Sequence, residues 1–244
     1  MLPSVNSGHS REGTMLNKGT KAFLTDLFNI GAIKVDTKGG FRLTLHDKKP
    51  DAPLSPFYIN LRTQKNPKPG PLQEAHVETI AHEMNTVLEK VRTSFHLQFD
   101  YIAGIPRAGT PFAEALCDVR IKLGMGCQLL RMQKRNLSSR ALTIKSQHAN
   151  KDRSGYRPRV LLVDDLITSA TTKWTAIEAV RRAGYEVAGI LVYLDREQGG
   201  IDTLQKSGIP VVPVMRFSQM LKFYHEERLI SDAEMEAITF YLKK

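Results

Sequence analysis

The sequence predicts a parallel α/β domain with a small N-terminal α+β subdomain, and three observations point to it. From about residue 100 onward, short β-rich runs alternate with longer helical patterns, the mark of βαβ units. Those helical patterns end in glycine, where a C-cap glycine belongs. The first hundred residues follow another rhythm, short runs separated by tight-turn residues.

Residues 1–17 are polar and Gly/Ser-rich without the apolar stretch of a secretory signal, and they read as a flexible leader. A helix is expected near 18–30. "GAIKVDTKGGFRLTLHDKKPDAPLSPFYINLRT" then gives short antiparallel strands, turning at Gly39-Gly40 and around Asp51-Ala52-Pro53. A helix over 71–93 follows, so that 18–95 forms the N-terminal subdomain and 96–244 the α/β core. In the core, strands are expected at 100–106, 127–132, 159–165, 187–195 and 209–215. "TPFAEALCDVRIKLG" and "TTKWTAIEAVRRAG" carry apolar residues at helical spacing and stop at Gly124 and Gly184. Ser231 and Glu234 have capping-box spacing before a final helix. Residues 134–158 are a long, basic, polar connection, which in a compact domain is either functional or a disordered insertion.

With 244 residues, 41% of them hydrophobic, the chain can bury one sizeable core. No apolar run approaches the roughly 18 to 20 residues of a membrane-spanning helix. Cys117 and Cys127 fall in apolar surroundings, which favours reduced core thiols over a disulfide or a catalytic thiol, and with them a cytoplasmic setting. The formal charge of +10 points to a polyanionic partner, and both nucleic acid and phosphorylated small molecules qualify. Because the charge is spread along the chain, with no aromatic-interleaved basic stripe, the small molecule is the better fit. No Cys/His cluster has metal-ligand spacing, so protein-held zinc is not expected.

The richest chemistry lies in "RVLLVDDLITSATTK" (159–173), where an apolar strand ends in two carboxylates and hydroxyls follow. In an open parallel sheet, ligands sit at the carboxyl ends of the strands, facing the free N–H groups of the next helix. Asp164 and Asp165 would accept from sugar hydroxyls there, while Thr168, Ser169, Thr171 and Thr172 would surround a phosphate with donors. A receiver-type metal site or a structural cap would use the same residue types.

"VLLVDDLITSATTK" resembles the phosphoribosyl pyrophosphate motif of type I phosphoribosyltransferases. Three further segments resemble the orotate branch of that family: "LSPFYINLR" (54–62) its pyrimidine-binding segment, "IAGIPRAGTPFAEAL" (102–116) its pyrophosphate loop, and "LDREQGG" (194–200) the signature after the next strand. They occur in the family's order over about residues 20–220. The resemblance implies a parallel-sheet type I fold with an α+β hood, and transfer of ribose 5-phosphate from phosphoribosyl pyrophosphate to orotate, with Mg²⁺ carried on the donor rather than held by the protein. By resemblance, Asp164 and Asp165 hold the ribose hydroxyls, and the stretch from Leu166 and Ile167 through Thr168, Ser169 and Ala170 to Thr171 and Thr172 binds the donor, with Arg107 and Ala108 at its pyrophosphate. Phe57 and Tyr58 flank the pyrimidine, beside Thr168, and Arg196 faces its carboxylate. Arg131, Lys134 and Arg135 begin a mobile basic loop that in the family closes over the neighbouring subunit's site, which implies a homodimer with loop exchange.

The chain also departs from the family. Ala170 stands where glycine is usual, a methyl group that would crowd the phosphate or restrict the backbone. Arg107 and Ala108 replace an aromatic residue and a lysine, the mobile loop lacks its histidine, and His46 stands where a lysine is common. These changes gather where the leaving group is stabilised. An alternative reading is therefore a catalytically weak relative that binds nucleotide or RNA as a regulator, and another is transfer to a different base.

Overall fold

The computed structural model describes residues 16–47, 49–95, 97–134, 141–144 and 155–243. Helix α1 (Lys18–Asn29) is capped by Asn17, whose side chain accepts from the Thr20 amide, and it buries Phe23, Leu24 and Leu27. Strands β1 (Ile33–Val35) and β2 (Phe57–Ile59) pair antiparallel, Val35 opposite Phe57, and form the hood expected from the sequence. The lengthened turn between them is organised by His46, which is fully buried. Its Nδ1 accepts from the Leu43 amide at 2.8 Å and its Nε2 lies 3.3 Å from the Pro53 carbonyl. Where the family often has a lysine, this chain thus has a structural residue that shapes the turn.

Helix α2 (Glu74–Phe95) turns Val77, Ile80, Ala81, Met84 and Leu88 inward. It packs against helix α3 (Gly109–Lys122), which follows strand β3 (Tyr101–Gly104). Beyond α3 the chain forms a hairpin of β4 (Met132–Lys134) and β5 (Leu142–Ile144), then β6 (Arg159–Ile167), α4 (Thr171–Arg182), β7 (Glu186–Asp195), α5 (Gly200–Lys206), β8 (Val211–Arg216), α6 (Phe217–Glu226) and α7 (Asp232–Leu242). The main sheet is parallel in the order β3-β6-β7-β8. Period-two alternation divides its side chains between two cores: Leu161, Val163, Leu191 and Tyr193 face α1, α2, α3 and α6, whereas Val160, Leu162, Ile190 and Val192 face α4. Each such fully buried side chain stabilises the fold by roughly 1.5–3 kcal/mol.

Three sequence expectations change here. Residues 127–132 are not a strand of the sheet: only Leu129 bridges to Ile102, after which the chain leaves to build the β4–β5 hairpin. Helix α6 is unanticipated, and it buries Phe217, Met220, Leu221, Phe223 and Tyr224. Cys117 and Cys127 are joined in a disulfide and are not reduced thiols. The cause is local: Gly124 (φ 70°) and Gly126 (φ 65°) fold the chain back along α3 and leave the two Cα atoms 5.3 Å apart. Among the described residues, no helix is long and apolar enough to cross a membrane.

Candidate active site

A cleft of about 550 Å³ opens between the hood and the carboxyl ends of β3 and β6. Its floor is the turn after β3, where the Pro106–Arg107 peptide is cis. There the backbone is pressed against β6: a Cβ on Gly109 would lie 2.3 Å from the Val163 carbonyl oxygen and 2.9 Å from Asp164 Oδ1. Only glycine permits that approach.

Asp164 and Asp165 both line the cleft but differ in their partners. Asp164 is almost fully buried, and both its oxygens are engaged: Oδ1 accepts from the Asp165 amide at 3.0 Å and Oδ2 from Lys173 Nζ at 2.6 Å. The ammonium of Lys173, itself buried, also donates to the Leu166 carbonyl at 2.7 Å. Among the described residues no cation forms an ion pair with Asp165, and its Oδ1 accepts from the Leu166 amide at 2.8 Å. Burial and, after it, the neighbouring Asp164 charge push its pKa up to about 8. Of the two carboxylates, Asp165 is the one left for a ligand.

Thr168, Ser169 and Thr172 line the next part of the cleft, at the start of α4. Ala170, in the N-cap position, provides no side-chain cap. Its φ of −75° and ψ of −7° are ordinary for any L-residue, and its methyl group is buried in the α4-side core. The crowding expected of Ala170 is therefore absent, because the Cβ packs into the core rather than restricting the loop. Ala170→Gly is expected to leave donor affinity within about twofold and to cost about 0.5–1 kcal/mol of stability through chain entropy. Titration with the donor and a melting curve check both, and a gain in donor affinity would contradict this role.

A model of the phosphoribosyl transferase domain matches residues 75–208, more than half of the chain. The chain belongs to the phosphoribosyltransferase family. Among its relatives, the orotate phosphoribosyltransferase of Pyrobaculum aerophilum is 31% identical over 198 residues, covering 80% of this chain and 86% of its own. That of Sulfurisphaera tokodaii is 29% identical over 191 residues, covering 78% and 86%. The structure of Leishmania donovani UMP synthase superposes with a TM-score of 0.67 at 25% identity, over 91% of this chain and 42% of that one.

Not every residue that the sequence offers for the site of this phosphoribosyltransferase meets in the cleft. Leu166, Arg107, Ala108 and Lys134 line it together with the residues above. Ile167 is a core residue, and neither the exposed Thr171 nor the exposed Arg131 lies along the cleft. Arg135 falls outside the described residues. Phe57 does not flank a ligand ring: strand alternation turns it inward, where it is fully buried against Phe217 at 4.5 Å and Tyr241 at 5.9 Å. Arg196 covers its remaining side, with the guanidinium 4.9 Å from the ring centroid. The Arg196 Nε is buried without a hydrogen-bond partner among the described residues. Tyr58 is half-buried beside Phe41 at 5.8 Å, outside the cleft lining.

Two contributions go unassigned in the sequence reading. One is Lys173, although it stands in the inward stripe of α4 with Ala176, Ile177 and Val180, where a lysine signals a buried ion pair. The other is the hood segment carrying Arg62, Asn66 and Lys68 along the cleft wall.

Proposed function

We propose that this phosphoribosyltransferase moves ribose 5-phosphate from phosphoribosyl pyrophosphate to orotate, giving orotidine 5′-monophosphate and pyrophosphate. The observation that carries the reading is one cleft with an uncompensated carboxylate, Asp165, beside the hydroxyls of Thr168, Ser169 and Thr172, and with Arg107 and Lys134 also on its walls. That is the pattern a sugar carrying phosphate groups requires, and the Pyrobaculum and Sulfurisphaera relatives are orotate phosphoribosyltransferases. The bond from the anomeric carbon to the pyrophosphate oxygen breaks as the bond to the ring nitrogen forms, and that nitrogen gives up its proton. Positive charge develops on the ribose ring and negative charge on the leaving group, so catalysis needs opposite, preorganised support at the two ends. Asp165 accepts from the ribose hydroxyls and holds the sugar while the bond breaks. The uncapped first-turn amides of α4, with Thr168, Ser169 and Thr172, take the 5′-phosphate. Arg107 and Lys134 face the pyrophosphate.

Mg²⁺ fits this site as an ion brought by the donor. Among the described residues, no group of three or more His, Cys, Asp or Glu side chains could cage a metal. An ion held largely by phosphate oxygens and water would ask for no such cage. When bound, it neutralises pyrophosphate charge. A homodimer with loop exchange and a cytoplasmic setting belong to the same reading.

Arg196 reads the orotate carboxylate, supported by a buried Nε without a partner and by the lack of any carboxylate pairing to it among the described residues. Arg196→Ala is expected to raise the KM for orotate about tenfold or more, the scale of one charged hydrogen bond, with the donor KM nearly unchanged. Equal losses for both substrates would sink that role. The reaction itself is tested by ultraviolet absorbance with phosphoribosyl pyrophosphate and Mg²⁺, offering orotate, uracil, guanine and hypoxanthine in parallel. Loss of orotate absorbance alone is the expected result. Silence with every base, from folded protein that binds the donor, would leave a regulator instead.

A further inference from the structure

The described part of the family-typical basic loop, Arg131 to Lys134, brings only Lys134 to the cleft, and Arg107 is the one cation of the turn after β3. The opposite wall carries further positive charge. Residues 62–70 of the hood fold back on themselves: the Asn66 and Gly70 amides both donate to the Thr63 carbonyl at 3.1 Å, and Asn66 Oδ1 accepts from the Lys68 amide at 3.0 Å. Gly70 closes the loop against Arg62, since a Cβ there would lie 2.2 Å from the Arg62 carbonyl oxygen. This architecture sets Arg62 and Lys68 along the cleft, whereas Lys65 is drawn aside by Glu74 at 2.7 Å.

Arg62, Lys68, Arg107 and Lys134 therefore share one cleft, and none has a carboxylate partner among the described residues. Among the described residues the Arg62 guanidinium makes only a 3.5 Å contact, to the Tyr58 hydroxyl. Lys173, the remaining cation of the lining, is already matched by Asp164. Four like charges across a common space repel one another unless an anion lies between them. A second groove of about 500 Å³ continues the cleft between residues 63–67 and β4, and it shares Asn66, Pro67, Pro106, Arg107 and Lys134 with it. No residue of the 168–172 loop lines this groove. In this groove residues 63–67 of the hood loop face the turn after β3 and β4, and Arg62 and Lys68, which flank them, line the adjoining cleft alongside Arg107 and Lys134.

We infer that the hood loop 62–70 supplies Arg62 and Lys68 to the pyrophosphate group, so that the leaving group is clamped between hood and core by four cations of one chain. The inference rests on the proposed reading that a phosphoribosyl pyrophosphate enters the cleft, but it concerns the pyrophosphate end alone. Its chemistry explains how a chain with altered pyrophosphate and basic loops retains the cations that the departing group requires.

Calorimetric titration with inorganic pyrophosphate plus Mg²⁺, and separately with ribose 5-phosphate, tests it. Loss of a charge-assisted hydrogen bond weakens binding by about tenfold or more, so Arg62→Ala/Lys68→Ala should weaken pyrophosphate by about a hundredfold and ribose 5-phosphate by less than about twofold. Gly70→Ala, which leaves both cations present but displaces Arg62, should also weaken pyrophosphate selectively. Lys206→Ala, an exposed cation on α5, controls for net charge. If the double variant does not fold, Lys68→Ala alone is decisive, because Lys68 is exposed and its ammonium forms no hydrogen bond or ion pair among the described residues. Pyrophosphate affinity unchanged, or both ligands weakened equally, would overturn the inference. Selective loss of pyrophosphate binding supports it even from a protein that turns over no orotate, whereas orotate turnover with unaltered pyrophosphate affinity supports the reaction and removes the clamp.

Discussion

Asp165→Asn is expected to lower kcat by about a hundred- to a thousandfold, the scale on which removal of one preorganised charged group acts on a polar transition state. The substitution keeps the shape of the side chain and an oxygen that can accept from the Leu166 amide. Above pH 8, where Asp165 is ionised, it removes the charge proposed to receive the ribose hydroxyls and to face the developing oxocarbenium. Stability should not fall, because the amide is neutral at every pH and, above pH 8, avoids the burial and repulsion that the ionised Asp165 carboxylate meets beside Asp164. Steady-state kinetics with a thermal melt separate the two quantities. Near-normal turnover would remove Asp165 from the reaction, and a collapsed melting temperature would make it a structural residue.

Lys173→Met should be the most destabilising single substitution in the site, by about 3–5 kcal/mol, because it leaves the Asp164 carboxylate buried without its cation. The pair is tight, at 2.6 Å, with only 5% and 7% of the two side chains exposed. Asp164→Asn/Lys173→Met removes both charges and should recover most of the loss, since a neutral pair in a packed interior escapes the cost of a stranded ion. Chemical denaturation of the two single variants and the double variant gives the coupling directly. Additive losses would mean that the contact contributes little and that Asp164 is held by its neighbours.

The βαβ core is legible in the sequence because β6 and β7 read as unbroken apolar runs and α3 and α4 end at glycines with positive φ, Gly124 and Gly184. What is missed lies where local pattern and tertiary context part. Phe217, Met220, Leu221 and Tyr224 spell an amphipathic helix, but α6 begins directly after β8 with Arg216 as N-cap, and no Gly or Pro divides strand from helix. The apolar run at 127–132 looks like a strand because burial is what it encodes, whereas its pairing is limited by the turn into the hairpin. The disulfide depends on two left-handed glycines between the cysteines, a geometry that spacing alone does not convey.

In the site, the motif from Asp164 to Thr172 is legible because strand end, carboxylates and helix start are contiguous in the chain. Phe57 is not, since which face of a three-residue strand turns inward is decided by α6 and α7, far along the sequence. Arg62 and Lys68 are equally hidden. Among so many basic residues, only the folding-back of their loop distinguishes them from solvated charges.

The contact at Gly109 acts as a gauge. The spacing between the end of β6, which carries Asp164 and Asp165, and the turn after β3 is set there by Gly109 resting on the Val163 and Asp164 backbone and on the Asp164 carboxylate. In the proposed reading, substitutions such as those at Arg107 and Ala108 therefore alter how strongly the far end of a donor is held without altering that spacing. A chain can drift widely in its cations and still measure the same molecule.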